Sequence, residues 1–185
     1  MNRCILALAL VALAMPAYAQ GSKADAMVKK APTTVEFAKK AEMTNMFEIQ
    51  AGKLAQEKSD NSRVDSYARM IVQDHQKAED DLKSKVQTIK NVELPSKLDA
   101  EHQKLIDNLK AASGAKFLRT FKTQQVKGHQ QGVALFQGYA DKGDNAALKQ
   151  WAKNTVATLQ KHLTHAQALP TTAPAPTTGS NSMSK

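Results

Sequence analysis

The chain has 185 residues and a formal charge of +9, with 5% aromatic residues and one cysteine. That length suits one domain with tails, and the scarcity of aromatics beside abundant Ala and Leu favours an all-helical core over a sandwich or barrel. Lysines are spread along nearly every segment, so no run is dense enough for a nucleic-acid patch.

Residues 1–19 read as an export signal. Arg3 supplies the positive start, Ile5 to Met15 form a short apolar run, and Ala17-Tyr18-Ala19 gives a small-x-small cleavage pattern before Gln20. The run is too short to span a bilayer, and the expected destination is the periplasm or the cell exterior. Cys4 falls inside this leader. The mature chain therefore has no disulfide, no thiolate nucleophile and no Cys-based metal site.

Residues 20–33 are small and polar and read as a flexible lead-in. A first helix is expected from a Thr33 or Thr34 cap to Lys58, with Ala41, Thr44, Glu48, Ala51 and Ala55 sharing a face. Ser59-Asp60-Asn61 is a tight turn into a second helix, Asn61 to Asn91. There Val64, Ala68, Ile71, Ala78, Leu82, Val86 and Ile89 recur in threes and fours, the period of a helix burying one face. One step of that stripe is missing, and His75 fills it.

A connector through Pro95 leads to a shorter helix, Leu98 to Ser113, broken at Ser113-Gly114. A long helix from Ala115 to Lys142 carries Leu118, Val126, Val133, Phe136 and Ala140 inward, with Phe117 and Phe121 flanking and His129 in the same stripe. Gly143 ends it. The last long helix, Ala146 to Leu169, places Leu148, Ala152, Thr155, Leu159 and Ala166 on one face. His162 shares that face, and His165 lies at its edge. From Pro170 onward the chain lacks large apolar residues and reads as a disordered Pro/Thr/Ser tail.

The expected architecture is therefore an antiparallel four-helix bundle over residues 34–169, with a short extra helix between the second and third long ones. Each long helix brings one interior group able to bind metal: Glu48, His75, His129 and His162, with Asp74 and His165 beside two of them. Imidazole binds metal through one nitrogen while a carboxylate or carbonyl orients the other. The Glu-x-x-His motif of di-iron bundles is absent, because Val72 and Leu159 stand where its glutamates would be. A nitrogen-rich set suits copper, zinc or nickel better than a dimetal-carboxylate centre.

Two readings follow from these residues. In one, Glu48, His75, His129, His162 and His165 hold a transition metal such as copper, zinc or iron, with Asp74 behind them, as in envelope metal handling or stress protection. In the other, the same groups form a buried hydrogen-bond network that fixes register in a structural or partner-binding envelope module. Gly-rich phosphate loops, serine elbows and recognisable acid/base pairs are missing, so binding is expected rather than catalysis.

Three stretches also carry a resemblance. FEIQAGKLAQEKSDNSRVDSYARMIVQDHQKAEDDL, SGAKFLRTFKTQQVKGHQQGVALFQ and WAKNTVATLQKHLTHAQAL are similar to helices of the bacterial domain-of-unknown-function 4142 family. The resemblance implies a ferritin-like fold and an exported protein, often labelled outer-membrane, and no particular reaction. Position by position, the family pattern falls on Glu48, Asp74, His75, His129 and His162.

Overall fold

The structure, a computed structural model, describes residues 32–172. The leader expected at 1–19, nearly all of the lead-in and the tail from residue 173 lie outside the described residues. Within them the chain is all-helical: α1 (Thr34–Lys58), α2 (Ser62–Val86), α3 (Ala100–Ala111), α4 (Gly114–Lys142) and α5 (Ala146–Gln167).

Local chemistry sets most of the helix starts. Thr33 and Glu36 form a reciprocal capping box on α1. The Asn61 side chain accepts from the Arg63 and Val64 amides, Asp99 from His102, and Asn145 from Leu148. Each interaction satisfies amides that the first turn leaves without an intrahelical partner. The three-residue link between α1 and α2, and the equally short one between α4 and α5, make each pair an antiparallel hairpin. Across the hairpins α1 packs on α4 and α2 on α5, while α3 lies against α1 and α4. Among the described residues no helix is long and apolar enough to cross a membrane.

Several boundaries and faces depart from the sequence reading. α2 stops at Val86 rather than Asn91. Beyond that end Asn91 takes a left-handed conformation (φ 63°), which Asn tolerates. The redirected chain lays Ile89, Val92 and Leu94 over the end of the core. α3 is trimmed to Ala100–Ala111 by its Asp99 cap. On α4 Leu118, Phe136 and Ala140 are buried as expected, together with Phe117, Phe121, Gln125, His129, Gly132 and Tyr139. Val126 and Val133, expected inward, are half-buried, as are Thr44 on α1 and Thr155 on α5.

The apolar core falls into two clusters. One gathers Phe47, Tyr67, Ile71, Phe117, Phe121 and Ala166. The other gathers Phe37, Leu82, Phe136, Tyr139, Trp151 and Leu159. Between them, on all four long helices, stands a belt of buried polar side chains: Asn45 and Glu48, His75, Gln125 and His129, and His162.

The α1–α2 crossing is tight at Gly52, where a Cβ would sit 2.7 Å from Val72 Cγ2 and 3.2 Å from the Ala68 carbonyl. Gly52→Ala is therefore expected to destabilise the fold by about 1–3 kcal/mol through overpacking, despite alanine's higher helix propensity. Gly138, in α4, has open space at its Cβ position, and Gly138→Ala should stabilise by about 0.5–1 kcal/mol. Urea unfolding of the two variants tests the contrast. Equal stabilisation by both would mean that α1 and α2 do not approach as described.

Candidate metal centre

The polar belt is built from the helix stripes. His75 stands in α2 between Ile71 and Leu82, His129 in α4 between Gln125 and Phe136, and His162 in α5 between Leu159 and Ala166. All three imidazoles are at most 3% exposed. Their ring centroids lie 5.2–5.8 Å apart, and one ring nitrogen from each falls within 4.8 Å of the others. No fourth His, Cys, Asp or Glu joins this group among the described residues.

Each ring is tethered on one nitrogen only. His75 Nδ1 lies 3.0 Å from Asn45 Oδ1, His129 Nδ1 lies 2.9 Å from the Gln125 carbonyl oxygen, and His162 Nε2 lies 2.8 Å from Asp74 Oδ2. All three partners are acceptors, so in each ring the tethered nitrogen carries the proton and donates it. The other nitrogen, His75 Nε2, His129 Nε2 or His162 Nδ1, is then a bare lone pair. These three atoms are buried and have no hydrogen-bond partner.

Electrostatics keeps two of the rings, those of His75 and His162, in that neutral form. Burial, reinforced by the neighbouring His129 and His162, holds His75 well below the ordinary histidine range. Burial likewise draws His162 down to about 4, outweighing the Asp74 carboxylate that favours its charged form. At neutral pH both rings are unprotonated at one nitrogen, the state in which imidazole ligates metal.

Glu48 sits behind this arrangement. Its Oε1 is 3.8 Å from His129 Nδ1, the nitrogen already turned toward the Gln125 carbonyl. Its Oε2 accepts from Gln125 Nε2 at 2.6 Å, and Gln125 Oε1 accepts from the Tyr67 hydroxyl at 2.8 Å. Burial raises the Glu48 pKa, against the pull of His129 and Gln125. Gly128 leaves room for the carboxylate, since a Cβ there would lie 3.1 Å from Oε1.

Of the residues singled out by sequence, three therefore converge and three do not. His75, His129 and His162 form the cluster. Asp74 reaches across to His162 on α5, and Glu48 stands beside the outer nitrogen of His129. His165 is exposed and outside the group, because the next core position after His162 is Ala166, four residues on. The partner of His75 on α1 is Asn45, not Glu48. Asn45 and Gln125 were missed, although both continue their helix stripes: Asn45 lies three residues before Glu48, and Gln125 four before His129.

Over residues 17–169 the chain matches the family described as Domain of unknown function (DUF4142). The chain belongs to that family. No curated protein matches this DUF4142 chain. A solved structure described as "CopM in the Cu(II)-bound form" shares its fold, with a TM-score of 0.65 at 16% sequence identity, over 75% of this chain and 96% of that one.

Proposed function

We propose that this chain is an exported, ferritin-like four-helix-bundle protein that binds one transition-metal ion through His75, His129 and His162. The observation that carries the proposal is the set of three buried imidazoles, each pinned by an acceptor on one nitrogen, with unpartnered lone pairs on the others. Buried polar atoms without partners are costly, and an ion held by all three nitrogens satisfies them together. Asn45, the Gln125 carbonyl and Asp74 orient the rings, as outer partners of metal-bound histidines do. Glu48 lies behind His129, its carboxyl group held by Gln125 Nε2.

Three imidazoles suit copper or zinc, and the fold shared with a Cu(II)-bound protein supports copper as the ion to try first. With export directed by residues 1–19, the role is metal handling in the cell envelope rather than catalysis. The second reading, a register-fixing network with no ion, draws support from the Tyr67–Gln125–Glu48 chain, which is hydrogen-bonded without a metal. The three unpartnered nitrogens count against it.

Thermal melts separate the two. An ion that binds only the folded state at about 100 times its Kd adds about 2.7 kcal/mol of stability, a rise of several degrees in Tm. Copper should raise the melt and a chelator reverse the rise, while His75→Ala protein should not respond. A melt indifferent to copper, zinc and chelator alike would leave the network reading.

A further inference from the structure

Lysines and arginines run along the whole chain, but carboxylates do not. The first hairpin, residues 34–86, carries nine lysines and arginines against ten aspartates and glutamates. The second, residues 114–167, carries eight against two, Asp141 and Asp144. Ion pairing follows the same division. On α2 Arg69 pairs with Asp65, Lys77 with Asp81 and Lys83 with Glu79, each one turn apart along the helix. Among the described residues no lysine or arginine of α4 or α5 is ion-paired. Lys122 and Lys149 donate instead to the carbonyl oxygens of Leu169 and Asp141. Both aspartates of this hairpin accept from neutral donors, Asp141 from Gln137 and Asp144 from Tyr139.

Lys116, Arg119 and Lys127 on α4 and Lys153 and Lys161 on α5 are exposed, on the side of each helix away from its buried stripe. The exposed apolar side chains between them, Ala134 and Ala157, are too small to anchor in hydrocarbon. All the aromatic rings of the hairpin, Phe117, Phe121, Phe136, Tyr139 and Trp151, are buried, which leaves none to stack on a base. We propose that this outer α4–α5 face is a docking surface for an anionic lipid membrane, held at the headgroups by electrostatics without insertion. A broad, unpaired basic face complements the potential of such a surface, to which each lysine or arginine adds about fivefold in partitioning. The carboxylate-rich first hairpin turns α1 and α2 toward solvent. The three clustered histidines are buried and take no part in it.

The test sediments untagged protein at low salt with vesicles of phosphatidylglycerol and phosphatidylcholine in equal parts, and with phosphatidylcholine alone. Binding is expected only to the anionic vesicles, and is reversed at about 1 M salt, where the Debye length falls to about 3 Å. The triple variant Arg119→Glu, Lys153→Glu, Lys161→Glu reverses charges on the face and should weaken partitioning at least about 100-fold. The triple variant Lys39→Glu, Lys40→Glu, Lys53→Glu makes the same change in net charge on α1, where all three side chains are exposed. It should weaken partitioning by less than about tenfold, since salt screens charges held away from the membrane. Circular dichroism verifies that both variants fold. Absence of binding to anionic vesicles, equal binding to neutral ones, or equal weakening by the two variants would overturn the proposal. So would tighter binding to duplex DNA than to the vesicles at the same salt, which would make the face a nucleic-acid surface.

Discussion

His129→Ala is expected to weaken Cu(II) binding at least about 100-fold, more than loss of an orienting partner costs a metal site, while helix content is retained. The ring supplies one of only three nitrogens within 4.8 Å of one another, and among the described residues no other His, Cys, Asp or Glu is grouped with them. Glu48 is poorly placed to substitute, since its carboxylate faces the tethered Nδ1 side of His129 and is held by Gln125. Competition against a chelator of known affinity measures the loss, and circular dichroism verifies the fold. An affinity within about threefold of the parent would mean that His129 does not ligate. Asp74→Ala provides a graded comparison. It frees the His162 ring without removing a donor, and about a tenfold loss is expected.

Phe37→Ala should cost about 3–5 kcal/mol, the range for emptying a fully buried aromatic site. Phe37 is completely buried near the start of α1. Its ring stacks on Tyr139 at 4.0 Å between centroids, and meets Phe136 and Trp151 edge-on at 5.1 and 5.9 Å. One truncation therefore loosens α1 from both α4 and α5. With few aromatics in the chain, little else can move in to fill the space. Urea unfolding of metal-free protein gives the value, and a cost under about 1 kcal/mol would show that the two hairpins do not close on Phe37.

The helices were legible because their signals are local. The cap at Thr33, one of the two positions the sequence offers, and the break at Gly143 stand where the sequence places them, and apolar spacing located the buried faces of α2 and α5 closely. On α4 the face was rotated slightly. Val126 and Val133 drew the eye because they are aliphatic, while the true stripe steps through Gln125, His129 and Gly132. The three histidines were legible for a related reason, as each interrupts an apolar run.

Their convergence was not. Asn45 and His75 stand equally far from the α1–α2 turn, so the level of that pair is implicit in the hairpin. The level of the second hairpin against the first depends on packing between side chains distant in sequence. The same holds for Asp74, whose partner is not its neighbour His75 but His162, 88 residues away. His165 illustrates the converse error. Two histidines three residues apart suggest one shared ion, yet α5 buries His162 and Ala166 and turns His165 outward.

The most direct test of the three-histidine centre is pulsed electron paramagnetic resonance on Cu(II)-loaded, untagged protein, reading the number of imidazoles bound through the modulation from their remote nitrogens. Three equatorial imidazoles are expected in the parent and two in His162→Ala. A spectrum with one imidazole or none, or one unchanged by that substitution, would place any copper elsewhere and contradict the three-histidine centre.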